Sequence, residues 1–274
     1  MPHVTIEVIT LAAASNSLRS ASVDYIARRS SGLLRRRQKG ATVSADEEAS
    51  IALFCGDAPS STYMGVGPGG PIRWTRLISR TSLSGDLDSI EYGRIMPGAY
   101  VAEHVHQRTE EIYFVTRGRS YLHVNAARSL LGAGDLVLTP IGGQHATSPL
   151  GGEGLDFVVA EIAPPRSRTR THEAGVTIVN LFEQGTVDLS RYFDGQWRTV
   201  AYRQIDQGRC DTLVAADCEH FVFVLSGAGT AMTSSATLNL APGRGFMLHR
   251  PGNVTLRSQS KLGYFLVSLV WDLS

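Results

Sequence analysis

The sequence predicts a mainly β protein, two tandem β-barrels preceded by a partly helical N-terminal extension. Three observations carry that expectation. From Ile72 onward, short apolar runs alternate with Gly, Pro and Asn, the texture of strands joined by tight turns in an all-β sandwich or barrel. The second half repeats motif spacings of the first at an interval of roughly a hundred residues, as a duplicated unit would. From Met1 to about Ser60 no strand pattern is sustained.

Within the extension, residues 1–71, Ser20–Arg37 reads as a helix with Val23, Tyr25, Ile26, Leu33 and Leu34 on its apolar positions. Arg35-Arg36-Arg37 at its end suits the negative pole of a helix dipole. Ser44-Ala45-Asp46-Glu47 resembles a capping box that would lead a second helix into Ile51, Leu53 and Phe54. Gly65–Pro71 closes the stretch as an irregular loop.

The first barrel is expected over residues 72–165, with apolar runs at Ile90–Ile95, Ile112–Thr116, Tyr121–Val124, Leu136–Thr139 and Phe157–Ile162. Pro164-Pro165 and Arg166–Thr171 read as an exposed connector. The second barrel, residues 166–274, has runs at Thr199–Arg203, Phe221–Leu225, Thr237–Leu240, Phe246–Leu248 and Leu262–Trp271. Its echo of the first is specific. His220, six residues, Gly227 repeats Glu111, six residues, Gly118; Gly245, five residues, Pro251 repeats Gly134, five residues, Pro140.

Bulk properties narrow the function classes. Hydrophobic residues make up 43% and charged residues 19% of the 274, enough apolar material for buried cores. A net charge of +1 argues against nucleic acid as the partner. No run approaches the roughly 20 apolar residues that span a bilayer. Val4–Ala14 is mostly apolar but lacks a basic leader and contains Glu7, so no secretion signal is expected. Cys55, Cys210 and Cys218 form no Cys-x-x-Cys pair, which fits reduced thiols in a cytoplasmic protein.

The chemistry is concentrated in two spaced motifs. The first runs Gly98, five residues, His104-Val105-His106, four residues, Glu111, six residues, Gly118; the second runs Gly134, five residues, Pro140-Ile141-Gly142, two residues, His145. Alternate strand residues share a face, so His104 and His106 project together, accompanied by Ala102 and Tyr100. Glu111 opens the next strand on one face with Tyr113 and Val115. Three imidazoles and a carboxylate leave a six-coordinate divalent metal two open positions, which suits Fe(II), Mn(II), Ni(II) or Co(II). Glu110, beside Glu111, is the competing carboxylate. Tyr100 and Tyr113 are candidate acid, base or hydrogen-bond donors, or else fill the barrel interior. Cys218, Glu219, His220 and His249 in the second half are expected as core or rim residues, the alternative being the lining of a second pocket.

These motifs resemble those of the cupin superfamily over about Ile72 to Pro164, except that Pro149 stands where the second motif often ends in Asn. The second half resembles a degenerate cupin, with Leu213 and Ala215 at the histidine-pair positions, Leu256 at the last histidine and His220 in place of the glutamate. The resemblance implies a bicupin: two cupin-like barrels of jelly-roll type, metal in the first and none in the second. It implies one divalent ion per chain (Fe, Mn, Ni, Co or Zn, with Fe(II) leading) on His104, His106, Glu111 and His145. Catalysis would fall to Glu111, Tyr113 and Tyr100. The expected function is a metal-dependent enzyme acting on a small organic substrate, by dioxygenase-like oxidation of an enolisable or aromatic compound. The alternatives are a Lewis-acid cyclase, isomerase or lyase of secondary metabolism, and a ligand-binding sensor. A homodimer through barrel-edge pairing is also expected.

Overall fold

In the computed structural model, the described residues are 51–55, 61–64, 69–79, 87–164 and 175–270. The helix expected at Ser20–Arg37, the start of the one expected from Ser44, and most of the connector lie outside them. Strands dominate what is described. The helical elements there are single turns, Leu181–Gln184, where the Asn180 side chain accepts from the Glu183 N–H, and a 3-10 turn at Leu189–Arg191. No helix among these residues is long and apolar enough to cross a membrane.

Ile51–Cys55, expected as part of a helix, is instead a strand antiparallel to Arg244–Leu248 at the edge of a six-stranded sheet. Ile-Ala-Leu-Phe-Cys carries β-favouring residues, and an open sheet edge offers it a full ladder of hydrogen bonds. That tertiary gain outweighs a local capping signal.

In the first half, the long strand Glu110–Val124 organises two layers. Up to Gly118 it pairs with Leu155–Ile162 on one side and with Asp135–Thr139 on the other; from Arg119 it pairs with Ala127–Gly132 and Gln144–Pro149. Gly118 is the corner. Its φ is +92°, and a Cβ there would lie 2.4 Å from the Gly154 carbonyl oxygen, so only glycine fits. Beyond Leu155–Ile162 the sheet continues through Leu87–Ile95, Pro71–Ser79 and Ser61–Met64.

The second half has a six-stranded sheet around Cys218–Ser226 and Leu262–Val270, and a four-stranded sheet containing Cys210–Ala215 and Gly252–Ser258. The halves exchange edge strands. Ile51–Cys55 joins the sheet of the second half, while Thr177–Asn180, from beyond the connector, joins that of the first through Asp135–Thr139.

Three apolar clusters follow from strand alternation. Tyr113, Val115, Phe157 and Val159 face the interior of the first half; Val222, Val224, Leu256 and Leu266 face that of the second. A third cluster joins the outer faces of the two large sheets, with Ile112, Phe114 and Val158 against Phe221, Phe265 and Val267. Phe114 and Phe265 stack at 4.5 Å between centroids. Up to Val115, strand Glu110–Val124 therefore packs its even positions, Ile112 and Phe114, against the other half and turns its odd ones inward; beyond the Gly118 corner Leu122 faces the interior instead.

Candidate metal centre

Two paired strands bring the histidines together. Val101–Val105 runs antiparallel to Gln144–Pro149, with His104 directly opposite His145. His106 is held by the turn before the second strand: its N–H donates to the Gly143 carbonyl (2.9 Å), and its own carbonyl accepts from the Gly142 N–H (2.8 Å). Gly142 reaches that position at φ +86°, which a side chain would disfavour. The three rings meet with centroids 4.7 to 5.1 Å apart.

Strict alternation would set Ala102 and Tyr100 beside the histidines. The ladder shifts register between Val101 and His104, and such an irregularity resets which residues face inward. Val101 consequently packs in the interior, while Tyr100 is 39% exposed.

Glu110 and Glu111 diverge as neighbours on a strand must. Glu111 turns inward, with Oε1 3.5 Å from His145 Nε2 and Oε2 3.7 Å from His106 Nε2. Glu110 turns to the other half, where its carboxylate accepts from the N–H groups of Asp194 and Gly195 and from the Trp197 indole. The choice between the two carboxylates is thereby made by the sheet.

Hydrogen bonds prepare the imidazoles. His104 Nδ1 lies 2.9 Å from the Ala102 carbonyl, which can only accept, so Nδ1 carries the proton and Nε2 keeps its lone pair. His145 Nδ1 is 3.2 Å from the Thr139 hydroxyl, leaving its Nε2 toward Glu111. Burial, then the charge of His104, lowers the His106 pKa to about 4; burial, then His104 and His106, lowers that of His145 to about 3. Both imidazoles are neutral at neutral pH. Glu111 goes the other way, held well above the carboxylate range by burial first and then by Glu161 and Glu91.

The donor set fits a divalent ion. His106 Nε2 and Glu111 Oε1 are buried with no hydrogen-bond partner, a costly arrangement unless a cation completes it. Ligand atoms of His104, His106 and His145 lie within 4.8 Å of one another, as do those of His106, Glu111 and Glu161.

Proton linkage follows from these shifts. Metal binding needs an ionised carboxylate, and burial holds Glu111 toward its protonated form in mildly acidic solution. Uptake of an ion by the metal-free protein there is expected to release about one proton, read by calorimetry in buffers of different ionisation enthalpy. Affinity should rise with pH until Glu111 ionises unaided, then level off. A proton count near zero in mild acid would contradict the buried, protonated Glu111.

Tyr113 lies on the inward face beside Glu111. Its ring stacks on Phe157 at 4.4 Å and its hydroxyl is buried without a hydrogen-bond partner. Burial, then Glu111 and Asp156, pushes its pKa well above 10, which favours the neutral phenol with its proton available for a hydrogen bond. Sequence reasoning missed Glu161 and Thr139. Alternation along Leu155–Ile162 was the available signal, since Glu161 follows Phe157 and Val159 on the inward face. Thr139, immediately before Pro140, has no comparable signal.

In the second half, Leu213, Ala215 and Leu256 pack in the apolar interior. His220 Nε2 is 3.0 Å from the Val214 carbonyl and Nδ1 is 3.0 Å from the Ser268 hydroxyl. His249 pairs with Glu219 at 2.9 Å.

Residues 92–161 match the cupin domain family. The oxalate-binding protein of Thermotoga maritima is 26% identical over 93 residues, covering 34% of this chain and 77% of that protein. Protein Ylba from E. coli shares the fold with a TM-score of 0.64 at 12% identity, over 85% of this chain and 97% of its own. The E. coli pirin YhhW, solved with nickel(II), gives 0.63 at 13%, over 80% and 99%. Oxalate decarboxylase from Bacillus subtilis gives 0.59 at 15%, over 80% and 76%. Identities this low speak for the fold alone. The domain match falls on the strands that carry His104, His106, Glu111 and His145, and the shared fold runs through both halves: residues 92–161 form a cupin domain in a chain with the fold of cupin proteins.

Proposed function

We propose that this protein is a metal-dependent enzyme that oxidises a small enolisable or aromatic compound in a dioxygenase-like reaction. One observation carries the metal dependence: three imidazoles converge with a buried carboxylate, and buried donor atoms in that set have no hydrogen-bond partner. When bound, a divalent cation supplies Lewis acidity toward oxygen donors, and iron or manganese adds redox chemistry.

The chain's own groups do the rest. His104 and His145 have one ring nitrogen engaged, which fixes how the other is presented. Glu111, when ionised, is a stronger base than an exposed carboxylate and is placed to take a substrate proton on the carboxylate oxygen that a bound ion would leave free. Tyr113 offers its hydroxyl to a substrate oxygen. The inward faces of Phe157 and Val159 keep water from the interior and suit an organic substrate.

A second reading is favoured by two of the relatives, one an oxalate-binding protein and one an oxalate decarboxylase. There the site would hold a small dicarboxylate without net oxidation by O2. Protein purified anaerobically without chelator is expected to retain about one metal equivalent per chain. Oxygen uptake on adding enolisable or aromatic compounds supports the first reading. Oxalate binding or CO2 release without oxygen consumption would replace it with the second.

A further inference from the structure

Two sets of donor atoms meet at the centre and share His106. One is the histidine triad. The other is His106, Glu111 and Glu161, whose ligand atoms lie within 4.8 Å of one another. Glu161 stands directly opposite Glu111 in the antiparallel ladder, a position in which side chains share a face with Cβ atoms ~4.5–5.5 Å apart. On its own strand that face is otherwise apolar, with Phe157 and Val159 in the interior cluster. Within this second set, His106 Nε2 and Glu111 Oε1 are buried without hydrogen-bond partners, and each residue is only 5% exposed. Unpartnered buried atoms beside a second carboxylate mark a place for positive charge.

We propose that Glu161 is a fifth protein donor to the divalent ion held by His104, His106, His145 and Glu111. The proposal rests on the metal reading above and refines it. Two carboxylates balance the charge of a divalent ion, where Glu111 alone leaves one positive charge. The added oxygen makes the donor set harder, favouring Mn(II) and Fe(II) over Cu(II). With Glu161 as a fifth protein donor, a six-coordinate ion would have one position left for a substrate oxygen.

The test is titration of Co(II) into the metal-free full-length chain, followed by visible absorbance and calorimetry. The wild-type protein should bind one equivalent, and Glu161→Gln should bind roughly tenfold or more weakly, with its ligand-field bands moved. Glu161→Asp, which keeps the carboxylate on a shorter arm, should fall between them, and it decides the matter if the glutamine variant fails to fold. Unchanged affinity overturns the proposal. So does weaker binding with unmoved bands, which would make Glu161 a nearby charge and not a ligand. Two equivalents on the wild type and one on Glu161→Gln would assign Glu161 to a second ion. A wild-type protein that binds no Co(II), Mn(II) or Fe(II) would defeat the metal reading itself.

Discussion

His106→Ala is expected to weaken metal binding on the order of 10²–10³-fold while leaving the metal-free fold in place. A structural four-ligand zinc site is worth about 10–16 kcal/mol, so one ligand among four carries about 3–4 kcal/mol. His106 is the residue to choose because it belongs to both candidate donor sets. Its Nε2 has no hydrogen-bond partner in the metal-free protein, so removing the ring breaks no hydrogen bond at that atom. The cavity left by the ring is offset by relief of a buried, unpartnered nitrogen. Metal content after gel filtration and the thermal midpoint without metal should separate the two effects. His220→Ala is the matching control, because both of its nitrogens are hydrogen-bonded within the second half. That variant should lose stability and keep its metal. Full metal occupancy in His106→Ala would remove the centre from this site.

Much of the centre was legible because its spacing is set by strand and turn geometry. Alternation put Glu111, Tyr113 and Val115 on one face and Ile112 and Phe114 on the other, and the apolar clusters divide the same way. The same rule failed for Tyr100, since an irregularity between Val101 and His104 is invisible in a sequence that simply continues. Residues 51–55 misled for a different reason. A capping box is local, while the partner that makes Ile51–Cys55 a strand lies at Arg244–Leu248. Glu161 was hidden by distance along the chain. Nothing near it repeats a ligand spacing, and only its pairing opposite Glu111 brings it to the histidines. What the sequence displays well is therefore what one strand and one turn decide; what it hides depends on which strands pair.

The second large effect is expected one residue from Glu111 and on the opposite face of the sheet. Glu110 is 1% exposed, and its carboxylate accepts from the Asp194 N–H at 2.7 Å, the Gly195 N–H at 2.9 Å and the Trp197 indole at 2.9 Å. Those donors lie on the segment that leads into the second half, so this carboxylate ties the ligand-bearing strand to the neighbouring sheet. The approach is close enough that a Cβ on Gly195 would sit 2.7 Å from Glu110 Oε2. Burial raises the Glu110 pKa, and the three hydrogen bonds oppose that rise; the anchor is thus only partly compensated for leaving water. Glu110→Ala leaves three donors without their acceptor, two of them on partly buried backbone that water can reach. A loss of about 3 kcal/mol is expected, or a thermal midpoint about 6–12 °C lower for a chain of this size. Metal stoichiometry should stay unchanged, because the Glu110 side chain points away from the histidines. Glu111→Gln should do the reverse, losing metal while the metal-free protein keeps its midpoint. If Glu110→Ala unfolds within a degree of wild type, the three donors have found other partners and the carboxylate is not the tie between the halves. If it loses metal as well, the two faces of this strand are mechanically coupled, and the second half supports the centre without supplying a ligand to it.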